Sequence, residues 1–102
     1  MKIYISGPIT GVPEYESLVA FNNVEDRIAR AGHTPVNPRR ISGWGLTWET
    51  YMKIAKEVMH DPKIKAICMM KGWEKSKGCT MEIMWARALG LPIIYEPGAV
   101  RA

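Results

Sequence analysis

The chain has 102 residues, of which 47% are hydrophobic and 24% are charged, so it has room for one folded domain and is not a disordered chain. Its formal net charge of +4 is mild, and the basic residues are spread along the chain without the stripe that nucleic-acid binding requires. We therefore expect a single domain over residues 1–102 with no nucleic-acid partner. The one tight basic cluster, Lys71, Lys75 and Lys77, fits a local anion site as well as it fits a solvated loop.

The cysteines and histidines are few and widely spaced. Cys68, Cys79, His33 and His60 show no ligand spacing, so we predict neither a metal site nor a disulfide framework. Met1 leads directly into a strand without the apolar core of a signal peptide, and no apolar run has the length of a membrane span. These features predict a cytoplasmic protein without cofactor or membrane contact.

Short β-rich runs alternate with amphipathic stretches along the chain. The first helix is predicted from the helical spacing of Leu18, Phe21 and Ile28, followed by Gly32 at the position of a C-terminal cap. The predicted elements are a strand over 2–6, a helix over 17–31, a strand over 34–36, a helix from the Thr47 cap to about His60, a strand over 64–70, a helix over about 78–89 and a strand over 92–95.

This alternation predicts the fold class. Strands separated by single helices form right-handed crossovers, which place the strands in parallel and the helices on both faces of the sheet. The third strand is nearly continuous in apolar residues, as a strand buried on both faces should be. We therefore predict an α/β domain with a four-stranded parallel sheet.

Two loops at the carboxyl ends of the strands are candidates for ligand binding, because ligands of open parallel sheets bind at that edge. The loops over 6–13 and 71–78 are rich in glycine and small polar residues, which lets backbone N–H groups approach a ligand closely. Taken alone, the Ser6-Gly7-Pro8 turn has no phosphate-binding signature and is explained by a plain tight turn.

The last predicted helix carries the candidate reactive group. Glu82 lies one turn from the helix start among apolar neighbours, so its carboxylate is predicted to point into a pocket. The alternative is a surface glutamate that favours the positive end of the helix. Gly78 leaves space over the carboxylate, and the helix start at Ser76 and Lys77 offers free N–H groups to an anion.

A second carboxylate would complete an acid and base pair. Glu57, Glu49 and Asp61 are the candidates, although Glu57 shares no apolar row with its neighbours and also fits a solvated helix face. The aromatic side chains could form a base-stacking wall, or they could serve core or dimer packing instead; they are Trp44, Trp48, Tyr51, Trp73 and Trp85.

Several of these residues fall into a known pattern. The opening run IYISGP over residues 3–8, the pair Asn37-Pro38 and the run GWEKSKG over residues 72–78 followed by Glu82 resemble the nucleoside 2-deoxyribosyltransferase superfamily, in particular its short, phage-associated members. The resemblance implies a flavodoxin-like three-layer sandwich. It also implies a cofactor-independent enzyme that cleaves the N-glycosidic bond of a 2′-deoxynucleoside or its 5′-monophosphate, by hydrolysis or by transfer.

The resemblance also implies roles for particular residues. Glu82 matches the family's nucleophile, Tyr4 matches the tyrosine that orients it, and Glu57 lies nearest to the family's base-side aspartate. Ser76 stands where the nucleotide hydrolases of the family carry a phosphate-binding serine, which favours a monophosphate substrate. Because family sites are completed by a neighbouring subunit, we expect a homodimer or a larger homo-oligomer. The implied substrate- and phosphate-binding residues are Ser6, Gly7, Pro8, Gly72, Ser76, Lys77 and Gly78.

Two other functions compete with this enzyme. A non-catalytic nucleotide-binding module could use the same crevice to sense or sequester a ligand. Alternatively, the tryptophan-rich loop over residues 42–48 could dock a protein partner. Turnover of deoxynucleotides would separate the first alternative from the enzyme, and burial of Trp44 and Trp48 would remove the second.

Overall fold

The computed structural model describes residues 1–41 and 46–102. A short 3₁₀ turn, Trp73–Lys75, precedes the last helix. In chain order, the strands and α-helices are β1 (Lys2–Ser6), α1 (Glu14–Arg30), β2 (Thr34–Val36), α2 (Pro38–Ile41), α3 (Trp48–Met59), β3 (Ile64–Met69), α4 (Lys77–Ala88) and β4 (Ile93–Tyr95).

The four strands form one parallel sheet in the order β2-β1-β3-β4. Apolar residues of α1 pack on one face of this sheet, and apolar residues of α3 and α4 pack on the other. The predicted α/β fold with a four-stranded parallel sheet is therefore confirmed, and its three layers are consistent with a flavodoxin-like arrangement.

The alternation of side chains along β1 separates the two cores. Ile3 and Ile5 contact the α1 layer, whereas Tyr4 belongs to the core formed with α3 and α4. Successive side chains of a strand point to opposite faces of the sheet. Tyr4 and Ser6 consequently share the face that α4 covers, and both are fully buried.

One helix was not predicted, and another begins earlier than expected. Helix α1 begins at Glu14 instead of residue 17, after Pro13, which makes no side-chain capping bond and so gives no sequence signal. Helix α2 has only four residues and depends on the Asn37 side chain, whose Oδ1 accepts a hydrogen bond from the Arg39 N–H at 2.9 Å. Pro38 at the first helical position has a backbone angle that suits a helix start.

The connections leave a crevice at the carboxyl edge of the sheet. Strands β1 and β3 are neighbours, but the chain leaves β1 towards the α1 face and leaves β3 towards the α4 face. Loops that diverge in this way form a topological switch point, where parallel α/β sheets bind ligands. In the described part of the chain, no helix is long and apolar enough to cross a membrane.

Candidate active site

A cavity of about 180 Å³ opens at this switch point. The loop after β1, the starts of α3 and α4 and one residue of α2 surround it. Among the described residues, its lining consists of Gly7, Ile9, Thr10, Glu14, Arg39, Leu46, Trp48, Tyr51, Met52, Ser76, Gly78, Cys79 and Glu82.

Glu82 is held in the wall of this cavity by two hydroxyl groups. The Tyr4 hydroxyl donates to Glu82 Oε2 at 2.5 Å, and the Ser6 hydroxyl donates to Oε1 at 2.7 Å. Only 3% of the Glu82 surface is exposed. Because Tyr4 and Ser6 stand two residues apart on β1, they reach both oxygens of one carboxylate from the same face of the sheet. The predicted inward orientation of Glu82 is observed.

Burial dominates the electrostatics of this carboxylate. Loss of solvent raises the pKa of Glu82 to about 7, although the hydrogen bonds from Tyr4 and Ser6 act in the opposite direction. Burial, together with the negative charge of Glu82, also raises the pKa of Tyr4 well above its ordinary value. The phenol therefore stays protonated at neutral pH and donates to Glu82.

Tyr51 continues this polar cluster onto α3. Its side chain lines the cavity, and burial followed by the charge of Glu82 raises its pKa, while hydrogen bonding to Tyr4 lowers it. Tyr51 and Tyr4 also share a small gap behind the cavity with Pro38. A second neutral phenol thus lies in the cavity lining and interacts with Tyr4.

The start of α4 forms another wall. The Ser76 hydroxyl caps the helix by accepting from the Cys79 N–H at 3.3 Å. A Cβ at Gly78 would lie 3.2 Å from Met52 Sδ, so glycine lets α4 approach α3 closely here.

Two further side chains of α4 lie near this wall. Lys77 is exposed, and its Nζ lies 4.4 Å from the centre of the Trp48 ring. Burial raises the pKa of the Cys79 thiol to about 11, which leaves it neutral.

The structure brings most of the predicted site residues together. Glu82, Gly7, Ser76 and Gly78 line the cavity, and Tyr4 and Ser6 bind Glu82 from behind.

Three further predicted residues stand beside the cavity, outside its lining. Lys77 stacks on Trp48, which does line the cavity. Gly72 and Pro8 lie where the two loops at the sheet edge contact each other: a Cβ added at Gly72 would lie 3.4 Å from Pro8 Cγ. Gly72 has a φ of +83°, a conformation that favours glycine.

Glu57 is the predicted residue that the structure does not bring to this site. Its side chain is exposed on α3 and is not part of the described cavity lining. Tyr51 and Met52, one to two turns earlier on the same helix, line the cavity instead. The position of Glu57 in the helical repeat turns it towards solvent, so we assign it no role as the acid partner of Glu82.

The predicted aromatic wall is present only in part. Trp48 and Tyr51 line the cavity, whereas Trp73 is buried in the core and donates its indole N–H to the Val100 carbonyl at 2.7 Å. Trp85 packs against the core beside Lys56. Trp44 and most of the proposed docking loop over 42–48 lie outside the described residues.

Two charged residues of the cavity were not predicted. Arg39 Nη2 lies 3.3 Å from Glu14 Oε1, and the Arg39 side chain is only 13% exposed. These residues stand far apart in the sequence, on helices α2 and α1. The one available signal was the Asn37-Pro38 pair, which could have indicated a capped helix start before Arg39.

Comparison with known proteins places the chain in a family. No match is found among curated proteins or among solved structures. Residues 1–95 match a family model described as a domain of unknown function, DUF4406. This match covers every strand and helix from β1 to β4 together with the whole described cavity lining. The chain therefore belongs to the DUF4406 family.

Proposed function

We propose that this protein cleaves the N-glycosidic bond of a 2′-deoxynucleoside or its 5′-monophosphate, by hydrolysis or transfer, with Glu82 as the nucleophile. The observation that carries the proposal is a buried carboxylate in a cavity wall, with each oxygen held by one hydroxyl group. The resemblance of the sequence to the nucleoside 2-deoxyribosyltransferase superfamily supports the same reaction.

The proposed reaction has two steps. An oxygen of ionised Glu82 attacks C1′, and the C1′–N bond breaks with its electron pair passing to the base nitrogen, which takes a proton from water. Water, or an acceptor base, then attacks C1′ and displaces the carboxylate, losing its proton to solvent. A sugar without a 2′-hydroxyl reaches the oxocarbenium-like transition state more easily, and a carboxylate beside C1′ stabilises that state.

Tyr4 and Ser6 are positioning residues in this scheme. Their hydroxyl groups fix the plane of the carboxylate, and their hydrogen bonds stabilise its ionised form against the effect of burial. Without them, less of the nucleophile would be ionised at neutral pH. The start of α4, with Ser76 and the exposed Lys77, is where we propose that a 5′-phosphate binds.

Base release from defined substrates tests the proposal. The purified protein is incubated with each of the common deoxynucleosides and with each 5′-monophosphate, and free base is separated by chromatography. We expect release of base from at least one substrate, with monophosphates preferred over nucleosides. Release of base from none of these substrates would contradict the proposed reaction.

The rate of base release is expected to rise with pH through a midpoint near 7, because the pKa of Glu82 is raised to about 7 and only the carboxylate attacks. Tyr4→Phe removes a hydrogen bond that lowers this pKa, so the midpoint should move to higher pH and the rate at pH 7 should fall. The measurement is a pH profile of kcat/KM. Tyr95→Phe is the matched control, since the Tyr95 hydroxyl contacts Ala102. An unchanged midpoint in Tyr4→Phe would show that this hydrogen bond does not lower the pKa of Glu82.

A non-catalytic nucleotide-binding module is the second candidate. The observation that favours it is the shortage of acid partners: among the described lining residues, the one other carboxylate is Glu14, which is paired with Arg39. Calorimetry that detects binding of an intact deoxynucleotide, with no free base after long incubation, would support this candidate over the enzyme.

We also propose a cytoplasmic homodimer. Met84 and Leu89, on and just after α4, are 64% and 41% exposed, which fits a helix that packs against a second copy. Cys68 and Cys79 are both free and buried, in agreement with a reducing compartment. Analytical ultracentrifugation is expected to show a dimer at micromolar concentration. A monomer under these conditions would contradict a site shared between subunits.

A further inference from the structure

Helix α2 is built to hold one arginine at the cavity. A helix of four residues cannot persist without tertiary contacts. Asn37 caps it through the Arg39 N–H at 2.9 Å and donates to Glu25 at 2.7 Å. Arg40 binds the same Glu25 carboxylate at 2.8 Å. Because Asn37 and Arg40 both bind Glu25 of α1, the backbone that carries Arg39 has a fixed position.

The Arg39 guanidinium forms a paired charge in the cavity wall. Its Nη2 lies 3.3 Å from Glu14 Oε1, and the arginine is far more buried than the glutamate, 13% against 55% exposed. Both side chains line the same cavity as Glu82. Arg39 Nη2 donates to Glu14 Oε1, so guanidinium donors and carboxylate acceptors lie side by side at the cavity.

This pair suits a neutral base better than a phosphate. A phosphate bound to Arg39 would also lie within a few ångströms of the Glu14 carboxylate and would be repelled by it. The edge of a nucleobase carries no net charge, and it offers acceptors to the guanidinium and donors to the carboxylate. The Trp48 ring lines the same cavity and provides an apolar surface for such a base.

Guanine matches both halves of the pair. Its N7 and O6 are adjacent acceptors that fit the fork of an arginine, and its N1–H and 2-amino group are adjacent donors that fit the two oxygens of a carboxylate. In adenine a donor replaces O6 and N1 has no proton, so neither bidentate contact forms. We propose that Arg39 and Glu14 form the base-recognition end of the site and select guanine. The placement of the sugar beside Glu82 rests on the proposed function. The preference for guanine can be measured by binding alone, without turnover.

Binding and turnover are measured in parallel with deoxyguanosine, deoxyadenosine, deoxycytidine and thymidine 5′-monophosphates. Calorimetry of the intact protein gives the affinities, and chromatography gives kcat/KM. We expect deoxyguanosine monophosphate to be preferred roughly tenfold or more, the discrimination typical of one bidentate contact. Binding with this preference but without base release would refute the glycosidase and leave base recognition standing. Equal affinity for all four nucleotides would overturn the inference.

Variants locate the preference on the pair. Arg39→Gln and Glu14→Gln are expected to reduce the guanine-to-adenine ratio to about twofold or less, and Arg39→Lys should also reduce it because a lysine keeps the charge without the fork. Arg30→Gln, an exposed arginine that pairs only with Asp26 among the described residues, should keep the wild-type ratio. Circular dichroism verifies that each variant is folded. A ratio unchanged by both Arg39 substitutions would overturn the inference, even if overall affinity falls.

Discussion

Replacing Glu82 by glutamine is expected to lower the rate of base release roughly 10³-fold or more, because an amide oxygen cannot replace a carboxylate as nucleophile. Glutamine has the same shape, and its oxygen still accepts a hydrogen bond from Tyr4 or Ser6. The loss would thus report the missing charge and not a collapsed cavity. The measurement is chromatographic release of base at saturating substrate near pH 8, where wild-type Glu82 is ionised.

Glu16→Gln is the matched control for this loss. Glu16 is an exposed carboxylate in the first turn of α1, so the substitution removes the same charge without touching the cavity lining. We expect its rate to stay within about twofold of the wild type, as for most surface substitutions. A Glu82→Gln rate within tenfold of the wild type would remove Glu82 as nucleophile. Mass spectrometry of a deoxyribosyl adduct, present on the wild type alone, would add direct support.

The fold was predictable because its main signals are local. The nearly continuous apolar run over Ile64–Met69 and the helical spacing in α1 each lie within one element, and the alternation of such elements specifies a parallel sheet. Helix α2 was not predictable in the same way. Its stability comes from Glu25, which is distant along the chain and contacts both Asn37 and Arg40.

The site was predictable where a residue's own neighbours reveal its direction. Glu82 stands among apolar residues of α4, and this pattern alone predicted an inward carboxylate. The pairing of Arg39 with Glu14 depends on how α2 packs beside α1, which no local pattern encodes. The resemblance matched Glu57 to the family's aspartate only to within one or two positions, and a shift of that size on a helix is enough to turn a side chain from the cavity to solvent.

The same carboxylate should make the protein less stable as pH rises. The pKa of Glu82 is about 7 in the folded state and takes the ordinary value of 4.5 when the chain unfolds. Between these values the folded state binds more protons, so the free energy of unfolding falls as pH increases through this window. Above pH 7 the buried, ionised carboxylate costs up to about 3 kcal/mol. Glutamine does not titrate, so Glu82→Gln should approach the wild type in stability near pH 5 and exceed it at pH 8.

Urea unfolding of both proteins at pH 5 and pH 8 measures this difference. Subtracting the wild type removes the titration of every group the two proteins share, and Glu16→Gln, whose carboxylate is exposed, should show no comparable gain at pH 8. If the difference in unfolding free energy between Glu82→Gln and the wild type does not change with pH, the pKa of Glu82 is the same in the folded and unfolded states. Burial would then not destabilise its ionised form. A gain confined to high pH, in a variant that no longer releases base, would instead show that the fold sacrifices stability to keep this carboxylate buried. Sacrificing stability for a single charge is typical of active sites, where a strained or desolvated group is retained for its reactivity.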